Sequence, residues 1–220
     1  MKNTVRVWDL PTRVFHWCLV LCFVGLVATG QIGGDAMVWH FRTGYAIFSL
    51  LLFRLVWGFI GGYWSRFSVF VVGPLTIFRY ARGTSMPTLV GHNPLGAMSV
   101  LALLLFPLLQ VATGLMSDDD IATAGPLAKF LSGYWVNKAT YYHTAIGQYV
   151  LYALVLLHIG AIIFYRTTRK ENLMPAMWHG DSVTFEPHIS ARDDVKSRFL
   201  ALSIFVLCAL LTASFVRWLG

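Results

Sequence analysis

Four histidines, His16, His40, His143 and His158, lie in stretches of the sequence that carry almost no other ionisable residue. An ionisable group in so apolar a setting is costly to keep, which marks it as functional. Each imidazole left without a ligand needs a polar partner of its own in a low-dielectric interior. The shared partner that imidazoles favour is a metal. A bare zinc or copper ion recruits Cys, Asp or Glu beside histidine, and the levels at which these histidines fall offer none. Two facing imidazoles with no third donor suit an iron porphyrin, which brings four nitrogens of its own.

The elements that carry the histidines set their pairing. Of 220 residues, 57% are hydrophobic and 12% charged, about half the charged share of a soluble domain, which excludes a soluble globule. The stretches Arg13 to Asp35, Arg82 to Asp118, Lys138 to Arg166 and Arg198 to Arg217 enclose no Asp, Glu, Lys or Arg. Crossing a bilayer takes about 20 apolar residues in a helix. Unbroken apolar runs without alternation select helices over a barrel. The sequence predicts helices over Val14–Thr29, Phe41–Ile60, Leu95–Met116, His143–Tyr165 and Phe199–Trp218. The expected fold is all-α, a polytopic membrane helical bundle. Residues 1–178 form a four-helix di-haem core, and residues 179–220 form a cytoplasmic linker and a fifth C-terminal transmembrane helix.

Placing the N-terminus, the segment from Gly61 to Pro94 and the segment from Arg166 to Arg198 on one side gathers 13 of the 17 basic residues there, Arg54 included. That side is the cytoplasm, so the C-terminus lies on the opposite side. The other side holds Arg42, Lys129, Lys138 and Arg217 against Asp35, Asp118, Asp119 and Asp120. The net charge of +7 is read as topology and attraction to lipid headgroups, not as a nucleic-acid surface. The first apolar stretch, from Val14 to Gly34, is long for a cleavable signal and is read as a retained helix. Cys18, Cys22 and Cys208 lie in helices, not in loops where oxidation would fix them. The absence of Cys-x-x-Cys-His excludes covalent c-type haem attachment. No internal repeat of solenoid type is visible.

With that topology His16 and His158 share the inner level, and His40 and His143 the outer one. His143 and His158 are separated by a rise of about 22 Å along one helix. Gly44 and Gly147 follow the outer histidines by four residues, one turn along the same face. A missing side chain there lets a flat macrocycle lie against the backbone; ordinary close helix packing is the alternative. A fifteen-residue step overshoots four full turns by about 60°. Either the two haems are rotated relative to one another or the helix is locally over- or underwound, as at a bulge. His92, His179 and His188 fall in inner segments, the last two as solvated loop residues.

Arg-Val-Phe-His-Trp at 13–17, Arg-Leu-Val-Trp-Gly at 54–58, Gly-His-Asn-Pro-Leu-Gly at 91–96, Ala-Thr-Gly-Leu at 112–115 and the helix with His143 and His158 together resemble the prokaryotic cytochrome b561 family. That family includes the membrane cytochrome b subunits of nickel–iron hydrogenases and formate dehydrogenases. The likeness runs over about residues 5 to 178 and leaves the fifth helix outside it. The resemblance implies a bacterial inner membrane, with the C-terminus on its periplasmic side, and two non-covalent haem b groups, one on His40 and His143 and one on His16 and His158. It also implies a quinone near the inner haem, at an asparagine that begins the third helix. Asn93 holds that position, and an N-cap ahead of Pro94 is its other reading.

Two imidazoles per iron fill both axial positions and leave one-electron transfer. Haem propionates need cationic or hydroxyl partners. Arg54 and Arg66 are candidates at the inner haem and Arg42 at the outer one, with snorkelling to the headgroups the alternative for Arg54. Asp118, Asp119 and Asp120 form an acidic cluster suited to steering a basic partner such as a c-type cytochrome. The expected function is electron transfer between the quinone pool and a periplasmic redox partner, a c-type cytochrome, a hydrogenase or another dehydrogenase, as a subunit more than a self-contained enzyme. Two other readings remain open: a stand-alone superoxide:quinone oxidoreductase, against which the uncharged balance of the outer loops argues, and a haem-binding membrane anchor or sensor without electron throughput.

Overall fold

The computed structural model describes residues 3–84, 91–121, 123–184 and 188–219; Lys2, counted above among the inner basic residues, lies outside them. Five helices are long and apolar enough to cross a membrane. They are α1 (Leu10–Ile32), α2 (Met37–Ile60), α4 (Pro94–Met116), α5 (Gly133–Arg169) and α7 (Val195–Leu219), with the short α3 (Pro74–Ala81) and α6 (Met174–His179) between them. The chain is thus an all-α, multi-pass membrane protein. Leu21, Phe59, Leu157 and Phe199 are each more than 70% exposed, while Asp9, Arg54 and Ser65 are buried. Apolar side chains outside and polar ones inside are what a lipid solvent demands.

The helices outrun the predicted spans because charge-free sequence marks only their apolar part. α5 begins at Gly133, ten residues before His143. Three helices start on a side-chain cap, in which the cap oxygen takes an N–H that the helix leaves unpaired. Asp9 accepts from Thr12 N–H, Asn93 from Gly96 N–H and Asp194 from Ser197 N–H, at 2.8, 2.7 and 2.7 Å.

The contacts of the chain gather into two compact units. One takes the chain up to His16, Phe53–Ala102 and Leu157–Ile204; the other takes Trp17–Leu52, Leu103–Leu156 and the chain from Phe205 on. The first contains an element that helical periodicity did not predict. A strand β1 (Asn3–Arg6) pairs antiparallel with β2 (Asp181–Thr184), Asn3 opposite Thr184 and Arg6 opposite Asp181. Arg6 clasps Asp181 at 2.6 Å and Asp193 at 2.5 Å, and Arg198 reaches Asp193 at 3.0 Å. Burial pulls the Asp193 carboxyl up, but Arg198, the Leu10 N–H and Arg6 outweigh it and hold it below the usual range.

Candidate functional site: two pairs of facing histidines

In the second unit His40, on the first turn of α2, faces His143 of α5 with ring centroids 6.2 Å apart and planes at 85°. The Nδ1 of His40 lies 3.1 Å from the Leu26 carbonyl on α1, and that of His143 lies 2.9 Å from the Gln110 carbonyl on α4. A carbonyl only accepts, so both Nδ1 atoms carry the proton and both Nε2 atoms keep a lone pair. The two supports are built from the same tetrapeptide, Val-Ala-Thr-Gly, at 27–30 on α1 and at 111–114 on α4. In each the accepting carbonyl is four residues before the glycine, and the threonine hydroxyl also bonds it, from Thr29 at 3.3 Å and from Thr113 at 3.0 Å. The glycine makes room for the ring. A Cβ on Gly30 would stand 3.2 Å from His40 Cε1, and one on Gly114 2.7 Å from His143 Cε1. This short repeat was present in the sequence, but its meaning depends on which helix lies beside which histidine.

The glycines singled out from the sequence divide. Gly44 has no atom within 4 Å of a would-be Cβ, so its face is open. Gly147 does not leave such an opening: a Cβ there would run into the Gln110 carboxamide and the Tyr142 ring. Its missing side chain admits Gln110, whose Nε2 donates to the His143 carbonyl at 2.8 Å while Oε1 stays buried without a partner. Arg42 is exposed and lies over the Trp39 ring at 5.0 Å. The loop with Asp118, Asp119 and Asp120 folds back on itself, Asp118 taking the Asp120 N–H and Asp119 those of Ile121 and Thr123.

The overshoot on α5 is taken up by a π-turn over Tyr142–Gly147. Its i→i+5 bonds underwind the helix at His143, one of the two outcomes expected from a fifteen-residue step.

In the first unit His16 of α1 faces His158 of α5, with centroids 6.5 Å apart and planes at 52°. Asp9, fully buried, organises this region. Besides capping α1 it accepts from Trp57 Nε1, the Gly62 N–H and the Ser65 hydroxyl at 3.3, 3.0 and 2.9 Å, joining the start of α1 to the end of α2. No local pattern announced this residue, because three of its partners are about fifty residues away. Arg54, 3% exposed, donates from Nη2 to the Ser65 carbonyl at 3.1 Å and lies over Phe67 at 5.1 Å; its Nη1 has no partner. Arg66 is exposed and donates to the Gly61 carbonyl at 2.9 Å, beyond the end of α2. Asn93 is the cap of α4 and donates to the Tyr165 hydroxyl at 2.7 Å, which in turn meets Tyr80 at 3.0 Å.

The residues fit a haem. An imidazole nitrogen binds a metal at about 2 Å, and about 1 Å separates that nitrogen from the ring centre, so two rings on opposite sides of one iron stand about 6 Å apart. Both pairs meet that spacing. Among the described residues no three His, Cys, Asp or Glu side chains gather as ligands for a bare ion.

Comparison with known proteins agrees. Relatives include a probable Ni/Fe-hydrogenase B-type cytochrome subunit of Rhizobium leguminosarum bv. viciae, 24% identical over 82% of this chain and 89% of that one. A similarly named subunit of Azotobacter chroococcum is 25% identical over 81% and 88%. The probable Ni/Fe-hydrogenase 1 B-type cytochrome subunit of Escherichia coli K12 is 26% identical over 49% and 57%. No solved structure matches. The family model for prokaryotic cytochrome b561 matches residues 7–180, most of the chain and all four facing histidines, and the chain therefore belongs to the prokaryotic cytochrome b561 family, membrane electron-transfer cytochromes of the b type.

Proposed function

We propose that this chain carries electrons through the membrane on two b-type haems, one held by His40 and His143 and one by His16 and His158, between the quinone pool and a periplasmic redox partner. The observation that carries the reading is the presence of two facing imidazole pairs at metal-bridging distance. His16, His40, His143 and His158 would hold the haems, and haem b, when bound, would supply one-electron transfer. The protein's part is to orient the ligands and exclude competing chemistry. The Leu26 and Gln110 carbonyls fix the tautomer of His40 and His143, and such support also raises ligand basicity. The names of the relatives favour a nickel–iron hydrogenase as the partner. We place the quinone beside Asn93, whose Nδ2 and the Tyr165 and Tyr80 hydroxyls offer a line of hydrogen-bonding groups. Gly44 gives the His40–His143 haem an open face on α2. Arg42 and Arg66, both exposed, are the further propionate candidates. By the distribution of basic residues the N-terminus faces the cytoplasm.

Haem determination on the purified chain tests the ligation. Wild type should hold two haems per chain, and His143→Ala and His158→Ala should each hold one, of different spectrum. Full haem content in both variants overturns the pairing. Quinol-driven haem reduction with and without a co-purified hydrogenase tests the partner; superoxide-dependent quinone reduction by the lone chain would replace it.

A further inference from the structure

Among the buried polar atoms without a hydrogen-bond partner in the unit that contains His16 and His158, two lie close to one aromatic cluster, on Arg54 and on His92. Arg54 Nη1 is buried and unpartnered. A guanidinium that far from water is expensive unless an anion meets it. Asp9 attracts it through space, but its oxygens are taken up by the Thr12, Trp57, Gly62 and Ser65 donors, and among the described residues Arg54 has no ion pair at contact distance. The second group is His92, just before the cap of α4. Its ring is held between Trp8 at 4.6 Å and Phe70 at 4.7 Å, and its Nδ1 is buried without a partner. Phe70 packs on Phe67 at 5.7 Å, the ring over which Arg54 lies, so one aromatic cluster carries both groups. A buried neutral imidazole in this position has one N–H to donate.

We infer that Arg54 and His92 form a clamp for a carboxylate, and that the carboxylate is a propionate of the haem held by His16 and His158. The inference rests on the haem reading above and adds His92 to it. A charged donor and a neutral donor on one carboxylate make a charge-assisted site. The aromatic rings fix the direction of the neutral arm. Neutralising a propionate favours the ferrous state of the iron, so the clamp sets that haem's potential as well as its seat.

The test is a redox titration of the full-length, haem-loaded chain, with the two haems distinguished by the single-histidine variants. His92→Phe keeps an aromatic ring against Trp8 and Phe70 but removes the donor. It should retain both haems and lower the ferrous-to-ferric ratio of the His16–His158 haem several-fold at a given potential, the other haem unchanged. Arg54→Gln should lower it further, about tenfold, equivalent to about 59 mV for one electron. His92→Asn returns an N–H near the position of Nδ1 and should recover most of the wild-type value. Unaltered potentials in both His92→Phe and Arg54→Gln, with both haems retained, overturn the clamp and leave the haem reading standing. A wild-type chain without haem at His16 and His158 overturns that reading and the clamp with it.

Discussion

At His40 and His143 the tautomer is set by a backbone carbonyl and the position of the ring by a glycine. That combination predicts which small changes are felt. Gly114→Ala puts a methyl 2.7 Å from His143 Cε1, within contact distance of a ring that has its own hydrogen bond to keep. We expect this variant to fold and to lose the haem assigned to His40 and His143, falling from two haems per chain to one. Gly30→Ala, at 3.2 Å from His40, should shift the spectrum of that haem and retain it. Haem content and absorption of the two purified variants check both outcomes; full retention in Gly114→Ala would show that the ring has slack. The histidines themselves were legible in the sequence because they are nearly the only ionisable groups in apolar stretches. The glycines that face them were not, since Gly44 and Gly147 were selected by their place on the histidine's own helix. Gly30 and Gly114 act from a neighbouring one.

The helix ends depend on carboxylates more than on helix propensity. Asp9 collects donors from α1, from Trp57 near the end of α2 and from the turn after it, so Asp9→Ala leaves several buried N–H groups without an acceptor. An unmet buried donor costs about 1–3 kcal/mol, and we expect a loss of about 3 kcal/mol in detergent-solubilised protein, visible as a lower thermal midpoint. The link from β1 through β2 to α7 has a pH signature. Asp193 titrates below its ordinary 3.8 in the folded chain, so its contribution is complete above that value and is lost as the pH falls through the lower folded value. Proteolysis of the segment between β2 and α7 should therefore be flat from neutral pH to about 4 and rise only below it. Asp193→Asn should be susceptible already at neutral pH. Five spans were readable from hydropathy alone. The strands β1 and β2 were not, because four-residue pairings far apart in sequence leave no periodicity.

Across the whole molecule, α5 is the element that serves both histidine pairs, with His143 in one unit and His158 in the other. The fifteen-residue step between them would leave the two side chains turned away from a common direction in a regular helix, and the mismatch was visible as a numerical excess. Its location at Tyr142–Gly147 was not, since nothing in Tyr-His-Thr-Ala-Ile-Gly favours a wider turn over a regular one. A π-turn holds one residue more than the α-turn it replaces. Between its two histidines the helix therefore carries a spare position, and the chain should survive losing it. Removing Ala145 or Ile146 closes the wide turn into an ordinary one without rotating the rest of the helix, so both haems should remain. Removing one residue between Tyr149 and Leu157 swings one histidine through about 100° and should empty one pair. A shortened chain that keeps its colour in the first case and loses half of it in the second would identify this stretch as the place where the family can change length.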